Sequence, residues 1–389
     1  MDLRIGDMIQ DDDIKKCGAT LNALISRGNE QLMKHYSISF ITTHSDTIAK
    51  KIGEYFGKKA SDTDMVFYDG MEGENVFITV APQGYPDKLK TLLQCLNIGD
   101  FQVLLVTPDD KLDALMGEMI VAMECHPDTI PLVMIAGITK ANEYAVDDLK
   151  TKLLQIIKNT SLKDKVTDVI VMRDLEKDLP AFKQMIISLA GRIPVPRSND
   201  VRVLIDAAFT VKGVGTVVLG VVKSGTFNAN DMLEFTDATE FKNVIIKSIQ
   251  MQDIDQKAAG RGDRVGLAIK GLKSEEISRD NMFVTKGSMK AYQEFKIKFR
   301  LSKFSKKAMD VKEKQLYHVA IEHQVIGAVP VKIEGGSEAG MLKPNEEGTV
   351  TFKTEKRIAF GDNCNWAIVV MLEKFSGRLR ILGWGHAFA

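Results

Sequence analysis

Four glycines set at short intervals in a run of valines, residues 212–227, constrain this chain more than any other feature. Gly213, Gly215, Gly220 and Gly225 stand among β-branched residues that favour extended backbone. Glycine in such company marks a tight turn, a bulge or a close approach of two backbones, which is how a small closed barrel turns its corners. The run therefore predicts a barrel hairpin. Residues 201–209 alternate into the same sheet, and Gly262-Asp263 supplies a further turn and strand.

The rest of the chain sorts around that barrel. Residues 37–42, 76–80, 101–106, 132–136 and 168–172 are short apolar runs. Between several of them stand stripes at helical spacing: Leu89, Leu92, Leu93, Leu96; Leu112, Leu115, Met116, Met119, Met123; Leu149, Leu153, Ile156; Phe182, Met185, Ile186, Leu189. Alternating units of this kind predict an α/β, doubly wound sheet with helices on both faces. The methionine-rich stripe reads as core filling. Pro194 and Pro196 stiffen a domain link over 193–198. Apolar runs at 295–301, 317–326, 348–354, 367–372 and 379–385 predict a second all-β domain. The expected division is a helical extension over 1–35, the α/β domain over 36–193, one barrel over 198–287 and another over 288–389. Within the extension, Asp11 to Asp13 cap a helix carrying Ile14, Cys17, Leu21 and Leu24, and Gly28 stops it.

At 389 residues the chain holds two or three such domains. Lys and Arg number 52, as do Asp and Glu, a balance that argues against a strong nucleic-acid binder and against DNA as a partner. The charges are unevenly spread, with 22 basic against 29 acidic residues over 1–196 and 20 against 13 over 197–309. No apolar run reaches the ~20 residues of a membrane span, and the first residues lack a signal-peptide pattern. A cytoplasmic protein without a membrane partner is expected. The four cysteines lie far apart and predict neither disulfides nor a zinc site.

Together the glycines, Asp206, Phe209, residues 247–251 and the Gly262-Asp263 turn resemble the second domain of the translational GTPases, with elongation factor Tu and the selenocysteine-specific elongation factor nearest. A doubly wound domain followed by two barrels is similar to the plan of elongation factor Tu over nearly the whole chain after residue 36. The extra C-terminal domain of the selenocysteine factor is expected to be absent. The resemblance implies a phosphate loop after the first strand, where glycine N–H groups wrap phosphates and a hydroxyl holds magnesium. Residues 42–51 contain no glycine there. His44 and Asp46 resemble the middle of one version of the loop, Ile48 adds bulk, and Lys50 falls one position late. A helix over 48–56 still aims its N-terminus at the site and leaves weak anion binding open. The second implied motif, Asp-x-x-Gly, lacks its acid, keeping Gly84 with Tyr85 beside it. The guanine-reading Asn-Lys-x-Asp becomes Thr139-Lys140-Ala141-Asn142, and an amide offers one acceptor oxygen where a carboxylate offers two. These losses predict a pseudo-GTPase, with guanine nucleotide as an open question and magnesium not expected.

The resemblance also implies a site for the end of an aminoacyl-tRNA. Gln250 to Gln252 fall where elongation factor Tu borders the terminal adenosine. Asp206 and Arg264 occupy the places of an aspartate and an arginine of the selenocysteine factor, whose accompanying histidine is Ala207 here. A guanidinium in a small pocket favours an anionic or accepting side chain such as a thiolate. Alternatively, Arg264 is a turn residue, solvated or paired with Asp206. Lys296, Lys298, Arg300, Lys303, Lys306 and Lys307 gather at the start of the last domain, and in the related factors this domain meets tRNA. Lys303, Lys306 and Lys307 are the expected phosphate contacts, a solvated strand edge being the alternative. His318 and His323, read on one strand, face opposite sides and predict no metal pair. The expected function is aminoacyl-tRNA binding with little or no GTP hydrolysis, the ribosome being a further partner. A functional GTPase with divergent motifs and a protein-interaction scaffold are the alternatives.

Overall fold

The computed structural model describes residues 33–194, 198–237 and 240–389. The first sheet comprises β1 (Lys34–Ile41), β2 (Lys58–Asp62), β3 (Met65–Glu72), β4 (Asn75–Pro82), β5 (Phe101–Val106), β6 (Ile130–Ile135) and β7 (Ile170–Val171). Their order is β2-β3-β4-β1-β5-β6-β7. Strands β4, β1, β5, β6 and β7 run parallel, and β3 and β2 extend the sheet antiparallel. The helices are α1 (Lys50–Phe56), α2 (Leu89–Ile98), α3 (Ala114–Glu124), α4 (Val146–Ile157) and α5 (Leu175–Leu189). Strand alternation sorts them onto two faces. Ile38, Phe40, Val103 and Leu105 pack with Ile52 and Phe56 of α1 and Phe182 and Ile186 of α5. Ile41, Leu104 and Val106 pack with α2, α3 and α4 through Leu92, Met119 and Leu153.

The apolar runs locate these strands well, and β5 matches its predicted span. The β2–β3 hairpin is not foreseen, because Lys58–Asp62 is polar apart from Ala60. Strand β1 begins at Lys34, inside the segment expected to be an extension. The helix expected over residues 11–28, with Cys17, lies outside the described residues. Met116, Met119 and Met123 are buried as core filling, and Cys95, Cys125 and Cys364 are buried free thiols.

The second unit is a six-stranded ring: Met232–Phe235, Met282–Val284, Arg202–Val211, Gly215–Ser224, Arg264–Lys270 and Lys242–Met251, closing on the first. Residues 212–227 hold one long strand rather than a hairpin of their own; its partner is Arg202–Val211. Gly213 and Gly215 take φ of 85° and 103° at the turn between them. Gly220 is needed for contact, since a Cβ there would lie 2.6 Å from the Leu204 carbonyl oxygen.

The third unit is a closed barrel of Lys290–Arg300, Glu347–Phe360, Gln324–Glu334, Tyr317–Ile321, Trp366–Val370 and Ile381–Phe388. The strand predicted over 317–326 is in fact a hairpin. Glu322, at φ 51°, and His323 form its turn, so His318 and His323 do not share a strand. Burial holds that turn in place of glycine: the Glu322 carboxylate meets Arg202, and the His323 ring lies between two backbones. No helix is long and apolar enough to cross a membrane among the described residues.

Candidate functional site

Three loops meet at the carboxyl ends of β1, β5 and β6. In the first, the Thr42 hydroxyl accepts the His44 N–H at 2.8 Å, and the chain passes through a π-helical turn, Ser45–Ala49, into α1. His44 Nε2 lies 2.9 and 3.1 Å from the two oxygens of Asp110. Asp110 also accepts from the Thr107 N–H at 2.7 Å. The bond to Asp110 raises the His44 pKa above its ordinary value, against partial burial. Burial opposes ionisation of Asp110, but His44 and Thr107 outweigh it and hold the carboxyl below the usual range.

The loop after β6 closes on itself. Asn142 Oδ1 accepts from the Thr139 N–H at 2.7 Å, while its Nδ2 donates to Asp109 at 2.8 Å and to the Gly137 carbonyl at 3.3 Å. Asp109 and Asp110, which the sequence reading passed over, therefore tie His44, Thr139 and Asn142 into one cluster. Ile48 fills the space between: a Cβ on Gly137 would sit 2.8 Å from Ile48 Cδ1. Asp46, Lys50 and Lys140 are exposed. Gly84, at φ 77°, turns the chain after β4, and Tyr85 beside it donates to the buried Glu118 at 3.2 Å.

A guanine nucleotide with magnesium does not fit this edge as it stands. Ile48 occupies space beside Gly137, the Asp109 and Asp110 carboxylates stand at the edge, the Asn142 amide is engaged by Thr139 and Asp109, and Lys51 follows Lys50 where a hydroxyl would hold the metal. The helix expected from Ile48 is a seven-residue α1 that begins only at Lys50, its approach guarded by Asp46. Asn142→Ala strips partners from Thr139 and Asp109 and is expected to cost about 1–3 kcal/mol in urea unfolding. Lys140→Ala, at an exposed neighbour, is expected to stay within about 0.5 kcal/mol.

The second candidate region lies between the first domain and the first barrel. Arg264 reaches Asp206 and, on β3, Asp69, each at 3.3 Å, and its guanidinium stands 4.8 Å from the Phe67 ring centre. Asp206 is buried; it also accepts from the Ser61 hydroxyl at 3.0 Å and from Arg279 at 3.4 Å. Arg279 continues to Asp64. Of the two readings of Arg264, the pairing with Asp206 is present within the second domain, and Arg264 also crosses the domain boundary to Asp69. Burial raises the Asp69 pKa even beside Arg264. Gln250 and Gln252 stay exposed, Gln250 donating to Asp255 at 2.8 Å and Gln252 taking φ 50° in a turn.

The third region joins all three domains. A groove of about 620 Å³ lies between α2 and the two barrels. Lys353, Lys356 and Arg357 line its third-domain wall, where strand Glu347–Phe360 bulges, and Lys90 and Asp280 face them, paired at 2.7 Å. This basic bulge went unread because charged residues in mid-strand look like a solvated face. Lys303, Lys306 and Lys307 lie on an exposed loop, with Lys303 over the Phe304 ring at 5.0 Å. Behind the groove the His323 ring nitrogens lie 3.0 Å from the Gln94 carbonyl and 3.2 Å from that of Ile205. No cluster of three metal-ligating side chains occurs among the described residues.

Comparison with known proteins places this geometry. Residues 215–279 match the family model for elongation factor Tu domain 2. The selenocysteine-specific elongation factor of Methanocaldococcus jannaschii is 24% identical over 96% of this chain and 80% of its own length. Translation elongation factor SelB of Methanococcus maripaludis superposes with TM-scores of 0.76 for its apo form and 0.73 with a GTP analogue, at 18% and 20% identity. Each superposition covers 92% of this chain, and they cover 80% and 79% of SelB respectively. The chain carries an elongation factor Tu domain 2 over residues 215–279 and has the fold of SelB along nearly its whole length. An uncharacterized Methanocaldococcus jannaschii protein is 29% identical over 86% of this chain and 95% of its own length. The chain shares the three-part architecture of these structures, and at its loop after β1 its own side chains meet one another.

Proposed function

We propose that the protein holds the acceptor end of an aminoacyl-tRNA with little or no GTP hydrolysis, with the ribosome as a further partner. One observation carries this reading: the three domains are closed on one another by polar contacts, Arg264 to Asp69, Ser61 to Asp206 and Gln94 to His323, while the loops at the nucleotide edge bond to one another. In the resembling factors GTP controls that closure; here Asp206, Arg264, Arg279 and His323 supply it. Asp206 and Arg264 form the floor beside the aminoacyl end, and Gln250 and Gln252 form its exposed rim. Lys353, Lys356 and Arg357, with Lys303, Lys306 and Lys307, serve the phosphates, which contribute strongly to nucleic-acid binding.

The test is the rate at which a panel of aminoacyl-tRNAs loses its amino acid, with and without the purified protein at low salt. At least one member of the panel is expected to be protected. Exchanging Lys353, Lys356 and Arg357 together for alanine weakens that protection on the order of tenfold or more and flattens its salt dependence. GTP turnover is expected to stay at background with ribosomes present. Ribosome-stimulated turnover would overturn the non-hydrolysing half of the reading, and no association with any charged tRNA would overturn the other.

A further inference from the structure

A cavity of about 300 Å³ lies at the opposite edge of the sheet, where the chain before β5 and β6 meets both barrels. His126 lines it and is only 7% exposed. Its Nδ1 lies 2.9 Å from the Ala122 carbonyl, which can only accept, so Nδ1 carries the proton. Burial pushes the ring down to about 4, keeping it neutral, and the buried Nε2 has no hydrogen-bond partner among the described residues. A buried acceptor without a donor is costly, and the wall beside it is built to hold something.

The charges of that wall restrict what it holds. Arg261 meets Asp100 at 2.9 Å, Arg202 meets Glu322, and Lys223 lies 4.0 Å from Asp100 while donating to the Ile98 carbonyl at 3.3 Å. Because each cation has an acidic neighbour, the site has no surplus charge for a phosphate, and the Nε2 lone pair repels an anion. Trp366 also lines the cavity, with its indole N–H engaged by the Cys125 carbonyl at 2.7 Å. An occupant should therefore be uncharged, flat, and supplied with both donors and acceptors at its edge. The volume is at the small end of ligand sites, suiting a nucleoside better than a nucleotide or a peptide.

We propose that this cavity binds an uncharged nucleobase, as a free nucleoside or as an unstacked base of an RNA, which donates an N–H to His126 Nε2 and lies against Trp366. Bases offer this combination of a flat face and a hydrogen-bonding edge. The inference goes beyond the aminoacyl-tRNA reading and does not rest on it, since its nucleoside arm can succeed where deacylation is unaffected.

The experiment uses the full chain with ¹⁵N-labelled histidine, titrated with adenosine, guanosine, cytidine and uridine, and separately with short unpaired RNAs. At least one probe is expected to bind saturably and move the His126 Nε2 resonance. His126→Phe, which removes the acceptor, is expected to weaken binding about tenfold or more, as expected for a lost buried hydrogen bond. His126→Gln, which keeps an acceptor oxygen, retains more affinity, and Lys223→Met tests the facing wall should the phenylalanine variant fail to fold. A response to nucleosides identifies a free ligand, and a response to RNA alone identifies a linked base; either supports the site. It is overturned if no probe moves the resonance at millimolar concentration, if binding survives both His126→Phe and Lys223→Met unchanged, or if a soaked crystal shows only a water on Nε2.

Discussion

Replacing Glu118 with alanine is expected to destabilise the fold by about 3–5 kcal/mol, read as an earlier urea midpoint. Glu118 on α3 and Arg380 of the third domain are 0% and 1% exposed. The carboxylate accepts from Arg380 Nη2 at 2.6 Å, from its Nε at 3.1 Å, from its backbone N–H at 2.9 Å and from the Tyr85 hydroxyl at 3.2 Å. Alanine leaves a guanidinium in the interior without its carboxylate, the Glu373 carbonyl 2.9 Å from Nη1 remaining as an acceptor. The energy lies mainly in that stranded charge, since a buried pair itself gains little over well-packed apolar groups. Exchanging both residues for methionine should therefore recover most of the loss. A cost below about 1 kcal/mol for Glu118→Ala would show that water reaches the pair.

Acidification supplies the second large effect. His126 and His323 are each pushed down to about 4 by burial, from an ordinary value of 6.5. As pH falls below 6.5 the unfolded chain takes up protons that the folded rings refuse, so stability drops between pH 6.5 and about 4. It is unaffected by these rings above that window, where both states are unprotonated. Linkage gives about 3 kcal/mol for each ring over the full span. Asp64, Asp110 and Glu322, whose carboxyls are held low by their partners, add losses of the same sign as they protonate. Unfolding free energies of the wild type and His323→Gln, measured at pH 7 and 4.5, isolate the ring: the variant should show the shallower slope. Equal slopes would mean that His323 is protonated in the fold. Its setting makes the comparison informative, because two carbonyls face its two nitrogens and a neutral ring can donate to only one of them.

Local pattern carried much of the fold into view. Gly213 and Gly215 announced a turn that needs positive φ, and the leucine and methionine stripes announced helices that bury one face. The turn at Glu322 and His323 was invisible because neither residue is a turn former; tertiary burial imposes it. The β2 strand was missed for the converse reason, since its polar residues earn their place by pairing with β3. At the candidate site, the lack of glycine over residues 42–51 and the amide at Asn142 could be read directly. Asp109 and Asp110 could not, because nothing in their spacing says that two loops far apart in sequence will close onto them. The same holds for Arg264 and Asp69, charges that look solvated until the fold sets them face to face.

Helix α2 deserves a last consequence. Lys90 and Gln94 bond Asp280 of the first barrel, while Gln94 and Asn97 bond the backbone of His323 and Glu322 in the second. One short rod thus serves as a common axle, and the single Gln94 amide group holds both wheels. Neither barrel can swing away without loosening the other's grip, so heat should melt the whole assembly as one calorimetric peak instead of three.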